Sequence, residues 1–274
     1  MISPHMANAA IPSRLEFGLR FTTKKARATT ARTGPRGVPT ALRRFGFAHV
    51  SARELSAMVA VSSRDLRALQ SAWERLPIDH FLRDDGQYRR RRHSCFTFTV
   101  KSGALELQPH RAHWQPTTYN ALHGGIERLF APMRPAVIAS EAFRALLCGL
   151  SRRFASIRPV KRWYIEAHQF RIDTARGIGR PTPEGAHRDG VDFVCIILMR
   201  RCDIQGGETR VFDARGSSGM RFTMAEPASA LLLDDRIVIH ETTPIRPLDA
   251  RRRGHRDTLV LTFRRQGFQA PRRS

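Results

Sequence analysis

From residue 160 onward, short apolar runs alternate with turn residues, the pattern of a chain built from strands. Residues 163–172 (WYIEAHQFRI) are rich in β-formers, and residues 193–199 (FVCIILM) form an unbroken apolar run that suits a strand covered on both faces. Gly206 and Gly207 mark a turn, and residues 209–213, 229–233, 237–240 and 258–263 supply further short strands between turn signals. Such a set predicts a two-layer β-sandwich or barrel. Earlier in the chain the period is helical. Ser51 and Glu54 have the spacing of a capping box, predicting a helix from Ala52 toward Ala60. Residues 63–75 and 141–154 carry apolar positions at helical spacing. These helices are expected to pack against the outside of the strand layer. The first 44 residues are rich in Thr, Ala, Arg, Gly and Pro with no sustained apolar period, which predicts a disordered basic extension.

The resulting division is an extension over 1–44, one folded domain over 45–266 and a basic tail over 267–274. Within the domain, 45–158 reads as mostly helical and 159–266 as the β core. A chain of 274 residues that is 41% hydrophobic can bury a full core. No apolar run approaches the roughly 20 residues that cross a bilayer, so a soluble protein with no membrane partner is expected. The four cysteines, Cys95, Cys148, Cys195 and Cys202, lack Cys-x-x-Cys spacing and follow no secretory signal, which points to a reducing cytoplasm.

A net charge of +23 raises the question of nucleic acid. The charge is concentrated at the ends: residues 1–44 carry nine Lys/Arg against Glu16, and residues 251–274 carry eight Arg against Asp257. Charge so placed reads as solvated tails rather than a binding groove. Nothing in the pattern sets the oligomeric state.

The chemistry resides in a sparse ordered set. His187 and Asp189 form a His-x-Asp pair after the Gly/Pro-rich residues 176–185, His240 ends an apolar run, and Arg256 opens the last one. In an extended segment His187 and Asp189 point the same way and can grip one ion. His240 lies far enough along for intervening strands to bring it back as a third ligand. Two imidazoles and one carboxylate on one face of an octahedral ion leave three positions open, the arrangement of non-haem Fe(II) oxygenases. Alternation places Arg256 and Thr258 on one face of their strand, where a planar two-pronged donor beside a hydroxyl could hold the distal carboxylate of 2-oxoglutarate. Arg264 is the alternative. A second His-x-Asp pair, His255 and Asp257, has no histidine after it and faces away from Arg256, so it reads as a decoy.

Residues 183–193 (PEGAHRDGVDF), 206–209 (GGET), 233–240 (LDDRIVIH) and 256–263 (RDTLVLTF) resemble the bacterial Fe(II)/2-oxoglutarate dioxygenase family that includes L-isoleucine 4-hydroxylase. Looser likeness extends to Gly46-Phe47, 88–92 (YRRRR) and 124–130 (GGIERLF), covering roughly 45–265. The resemblance implies a double-stranded β-helix core, jelly-roll or cupin-like, with flanking helices. It implies metal ligands at His187, Asp189 and His240, cosubstrate contacts at Arg256 with Thr258 beside it, and no catalytic group beyond the metal ligands. It further implies Fe(II), 2-oxoglutarate and O2 as cofactor and cosubstrates, and a free aliphatic L-amino acid as the small-molecule substrate. A non-catalytic β-barrel binding a metal or small molecule, or a basic nucleic-acid-binding protein, are the competing classes; neither would produce succinate.

Other polar residues compete for roles. Tyr164, Glu166 and His168 share one strand face, Gln169 and Arg171 the other, and either face could line a pocket. With Arg188, the residues Glu166, Gln169 and Arg171 are available to hold a zwitterion. The run Arg89 to Arg92 reads as a solvated or rim cluster, Glu208 as a turn organiser or substrate contact, and His110, His113 and His123 as surface or packing residues.

Overall fold

The computed structural model describes residues 37–84, 86–216 and 218–271. The first half interleaves helices and strands: α1 (Val38–Phe45), β1 (Phe47–Val50), α2 (Ala52–Val59), α3 (Ser63–Ala68), a 3-10 turn (Leu69–Trp73), β2 (Arg89–Thr99), β3 (Ala104–Leu107), α4 (Pro135–Ile138) and α5 (Glu141–Ile157). Strands follow: β4 (Arg162–Asp173), β5 (Phe193–Cys202), β6 (Ile204–Gly206), β7 (Thr209–Asp213), β8 (Gly219–Phe222), β9 (Ala230–Asp234), β10 (Val238–Thr242), β11 (Ile245–Pro247) and β12 (His255–Arg264).

A seven-stranded antiparallel sheet runs in the order β1-β9-β5-β12-β4-β2-β3, and a smaller one in the order β10-β7-β8. His187, between β4 and β5, bridges to His240 of β10 and so extends the small sheet. The chain thus crosses repeatedly from one sheet to the other as it proceeds from β4 to β12, which is the double-stranded β-helix expected from the sequence.

The two faces of the large sheet have different chemistry because successive side chains on each strand point opposite ways. The outer face carries Trp163, Ile165 and Ala167 of β4 and Leu259, Leu261 and Phe263 of β12, packed with the buried stripes of α1, α2 and α5. The inner face of β5 and β9 presents Val194, Ile196, Leu198, Leu231 and Leu233 to Val211 and Val238 of the small sheet. This apolar patch closes one end of the space between the sheets and leaves the β2, β4 and β12 side for polar groups.

The capping box forms as expected. Ser51 N donates to Glu54 Oε2 at 2.8 Å and Glu54 N donates back to Ser51 Oγ at 3.2 Å, a cap worth about 1 kcal/mol. The helix expected over 63–75 stops at Ala68 and tightens into the 3-10 turn, which turns Trp73 inward. There Trp73 Nε1 donates to the carbonyls of Phe170 and Thr258 at 3.0 and 3.3 Å. The Thr258 carbonyl lies beside a β-bulge between Asp257 and Thr258 in the β12–β5 pairing, so the indole satisfies an acceptor there.

Two features depart from the sequence reading. Helix α1 falls within the stretch expected to be disordered: Val38, Ala41 and Leu42 are buried in the core, and the helix ends at Gly46, whose φ of +77° suits a left-handed cap. About two turns of amphipathic chain are too short to stand out against an Arg- and Thr-rich background. Residues 1–36 lie outside the described residues. The second departure is β2. The segment expected to be mostly helical contributes this eleven-residue strand, paired along its length with β4 from Arg89–Ile172 to Thr99–Arg162. Its four successive arginines masked a strand because Arg89 and Arg91 point inward and are buried, whereas Arg90 and Arg92 point outward. Arg89 Nε is held by Asp79 at 2.7 Å. Arg91 lies between the rings of Phe130 and Phe170, 3.9 and 4.5 Å from their centroids.

Candidate metal centre

His187 and His240 exchange backbone hydrogen bonds at 3.1 and 2.9 Å, which holds their rings 4.7 Å apart between centroids. His187 Nδ1 donates to the carbonyl of Gly185 at 2.9 Å, so its Nε2 is the unprotonated nitrogen when the ring is neutral. That nitrogen lies 3.8 Å from Asp189 Oδ1, and His240 Nε2 lies 3.8 Å from Asp189 Oδ2. These separations are too long for hydrogen bonds. They leave room for one ion among the three donor groups.

Asp189 is set by its surroundings. Its Oδ1 accepts from Gln115 Nε2 at 3.2 Å. The carboxylate of Asp235 accepts the backbone N–H groups of Asp189, Gly190 and Val191 at 3.0, 2.8 and 3.0 Å, pinning the turn after the His-x-Asp pair. Gly190 has φ +75°, and a Cβ there would come within 2.4 Å of the Tyr119 ring, so the turn needs glycine. Burial and the nearby Asp189 carboxylate push Asp235 up to about 7. Burial holds the His240 ring far below its ordinary value, keeping it neutral and able to donate a lone pair. Burial opposes charge on His187 as well, but the carboxylates of Glu184 and Asp189 carry its pKa above the usual value. Glu184 Oε1 stands 3.5 Å from His187 Nε2; it lies within the segment that carries the family likeness, yet its spacing gave no separate signal.

Arg256 and Thr258 sit on the inner face of β12, opposite Ile172 and Phe170 of β4. Arg256 is buried and its Nε has no hydrogen-bond partner among the described residues. Burial, with Arg201 nearby, lowers its pKa to about 10. A buried guanidinium without a carboxylate is costly unless an anion meets it, so the residue fits an organic acid. Arg264 is differently employed, donating to the carbonyl of Gly267 at 2.9 Å. Among the described residues, the groups able to hold a metal are His187, Asp189 and His240, and separately His93, His113, Glu166 and His168. His255 and Asp257 belong to neither: Asp257 is paired with Arg171 at 2.7 Å on the outer face.

The structure also resolves which face of β4 lines the interior. Glu166 and His168 face Thr262 and Val260 in the inner ladder. Gln169 and Arg171 point the other way, and Arg171 is held by Asp257 and Glu74. Arg188 lies over the Tyr119 ring and donates to the carbonyl of Arg236. Glu208 pairs with Arg210 at 2.9 Å. His113 and His123, expected at the surface or in packing, are buried, and His113 joins the Glu166 group. Gln115 was not singled out in the sequence, because nothing in its spacing marks a loop residue that reaches the barrel.

A cavity of about 260 Å3 opens against Glu184 and His187, lined also by Tyr119 and Arg188. A larger one, about 550 Å3, is bordered by Arg264, Arg265 and Phe268 and touches none of His187, Asp189, His240 or Arg256. Cavity size therefore does not mark the site here; the convergence of donor groups does.

Residues 70–262 match the family described as 2OG-Fe dioxygenase. The solved structure of a bsmA homolog from Methylobium petroleophilum PM1 is 52% identical, covers 87% of this chain and 96% of its own, and superposes with a TM-score of 0.83. IDO from Bacillus thuringiensis is 18% identical over 85% of this chain and 100% of its own, with a TM-score of 0.70. The Fe(II)/(alpha)ketoglutarate-dependent dioxygenase TqaL is 19% identical over 84% and 87%, with a TM-score of 0.64. The last two likenesses show the fold. No curated protein matches the chain.

Proposed function

This chain belongs to the 2OG-Fe dioxygenase family, and on that premise we propose that it hydroxylates a free aliphatic L-amino acid at an iron held by His187, Asp189 and His240. Fe(II), 2-oxoglutarate and O2 are the cofactor and cosubstrates of such an enzyme. The observation that carries the reading is the pairing of an open three-donor group with a buried Arg256 on the facing sheet, whose Nε has no hydrogen-bond partner among the described residues. In the overall reaction one oxygen atom enters a substrate C–H bond to give an alcohol, and the other enters succinate as 2-oxoglutarate loses CO2.

Bound iron supplies the redox chemistry that O2 activation requires. The chain supplies placement. His240 presents a neutral lone pair, His187 would give up its proton to bind the ion, and Asp189, aimed by Gln115 and the Asp235-pinned turn, contributes the negative charge. Arg256, with Thr258 two positions along the same face, receives the distal carboxylate of 2-oxoglutarate and so fixes its direction. The catalytic unit comprises residues 45–266 with α1 docked on it, and the segment read as a basic tail belongs to it as far as Gln269, which is buried and donates to the carbonyls of Asp189 and Gly190 at 3.1 and 2.9 Å. The free-amino-acid substrate rests on the segments that resemble L-isoleucine 4-hydroxylase. Four free cysteines suit a reducing cytoplasm.

The reading is tested by anaerobic loading with Fe(II), followed by O2, 2-oxoglutarate and a panel of free L-amino acids including Leu, Ile and Met. Succinate should form together with a gain of one oxygen on at least one amino acid. Because one methylene is worth only about 1–3 kcal/mol in an apolar pocket, related side chains should react to different degrees. Oxidation of a peptide, a carrier-bound amino acid or a nucleobase, with free amino acids inert, would show that the substrate class is wrong.

A further inference from the structure

Glu166 sits among three histidines on the inner face of the large sheet. Its Oε2 accepts from His113 Nδ1 at 2.5 Å and from His93 Nε2 at 3.1 Å, and lies 3.5 Å from His168 Nε2. His93 of β2 is directly opposite His168 of β4, and their rings stack with centroids 4.6 Å apart. His113 meets the His168 ring edge-on at 4.9 Å. All four side chains are buried.

Three imidazoles and a carboxylate are also a donor set for a metal, but the geometry argues against one. In the His187, Asp189 and His240 group the nitrogen-to-oxygen separations are 3.8 Å. Around Glu166 the two shortest are 2.5 and 3.1 Å, the range of direct hydrogen bonds. The outer side of His168 adds a second argument. Arg91 Nη2 lies 2.9 Å from His168 Nδ1, and a guanidinium can only donate. Nδ1 must therefore be the bare nitrogen, and the neutral ring carries its proton on Nε2, aimed at Glu166 and unavailable to an ion. Arg91 cannot easily turn away, being sandwiched between Phe130 and Phe170.

The group is thus a carboxylate with one oxygen surrounded by N–H donors. Burial keeps the imidazoles neutral, His113 down to about 4. Burial would raise Glu166, yet its contacts with the histidines hold it well below the usual carboxylate range. Glu166 Oε1 has no hydrogen-bond partner among the described residues. Arg91, Arg128 and Arg264 already offset part of its charge at a distance, but Oε1 itself has no donor and can accept one more N–H.

We propose that Glu166 Oε1 receives the ammonium group of the substrate, with His93, His113 and His168 as the positioning residues that hold the carboxylate in place. The proposal rests on the oxygenase reading of the same interior but not on which amine is oxidised. Its placement suits that role. Arg256 pairs with Ile172, six positions along β4 from Glu166, a run of about 20 Å. The loop that carries His113 to Glu166 also carries Gln115 to Asp189, so Glu166 and the iron ligands border the same interior.

The test uses the full-length protein loaded anaerobically with Fe(II) and 2-oxoglutarate, reading substrate binding from the visible absorption of that complex. The probes are L-leucine, its deaminated counterpart 4-methylpentanoate and its decarboxylated counterpart 3-methylbutylamine. Glu166→Gln should weaken L-leucine and 3-methylbutylamine by on the order of tenfold to a hundredfold. It should leave 4-methylpentanoate and 2-oxoglutarate unchanged, the latter reporting that the fold is intact. Glu166→Asp should retain a preference for the amines. Equal weakening of all three probes, no weakening, or a wild-type enzyme that does not favour the amines would overturn the proposal. So would a metal equivalent that survives His240→Ala and is lost in Glu166→Gln. If free L-leucine fails to bind while the dipeptide Leu-Gly binds in a Glu166-dependent way, the ammonium receptor stands and the free-amino-acid reading falls.

Discussion

Gln115 donates from Nε2 to Asp189 Oδ1 at 3.2 Å, joining a loop that precedes the β core to the carboxylate that stands between two histidines. Gln115 is itself aimed by Arg128 and Asn120, which donate to its Oε1 at 3.1 and 3.3 Å. Partners of this kind orient a ligand, and their loss typically costs about 10–100-fold in metal affinity. Gln115→Leu should therefore weaken Fe(II) binding by a factor in that range with little change in 2-oxoglutarate affinity once iron is saturating. Equilibrium Fe(II) titration under anaerobic conditions measures it, and an unchanged affinity would remove Gln115 from the site.

His240→Ala should abolish succinate formation while the circular dichroism spectrum stays that of the wild type. Imidazole sites bind Co(II), Ni(II), Cu(II) and Zn(II) more tightly than Fe(II), so protein purified in air should carry a mixture that chelation and Fe(II) loading convert to active enzyme. Full turnover in His240→Ala would contradict the ligand assignment.

Arg256→Met should raise the 2-oxoglutarate requirement about a hundredfold, the loss expected for a bidentate charge-assisted contact worth a few kcal/mol. Iron affinity should change much less. A steady-state 2-oxoglutarate titration decides between Arg256 and Arg264: an unchanged KM in Arg256→Met, with a raised one in Arg264→Met, would transfer the role.

Truncation should separate the basic extension from α1. Protein beginning at Gly37 should fold and retain turnover. Removing α1 as well exposes the sites now filled by Val38 and Leu42, each worth about 1.5–3 kcal/mol, so a chain beginning at Gly46 should be destabilised by about 3–6 kcal/mol in urea unfolding. Loss of activity in a folded chain from Gly37 would mean that residues 1–36 support the pocket.

The buried histidines make stability sensitive to acid. Burial lowers His113 from 6.5 to about 4 and lowers His93 and His168 as well. Between these values the unfolded chain binds the protons first, so stability is full above about 6.5 and declines as the pH falls toward 4. Urea midpoints recorded from pH 7 to 4 should fall, and His113→Asn should flatten part of the slope. A midpoint independent of pH across this window would count against neutral buried rings.

Where the sequence pattern was locally sufficient, the structure follows it. The alternation in 163–172 and 256–263 became β4 and β12, and the capping box at Ser51 and Glu54 starts α2. The spacing of His187, Asp189 and His240 was legible because a two-residue period and a returning strand are one-dimensional facts. The same period placed Arg256 beside Thr258. Tertiary structure decided everything that depended on which sheet face met which partner. Whether Glu166 and His168 or Gln169 and Arg171 look inward is equivalent in sequence, and only the packing of Trp163, Ile165 and Ala167 under α5 turns the first pair toward the interior. Arg89 and Arg91 read as solvated charge until β2 pairs with β4 and Asp79, Phe130 and Phe170 close around them. His113 and Gln115 carry no periodic signal at all, because a loop residue's role is set by long-range contact, here across 53 positions to Glu166 and 74 to Asp189.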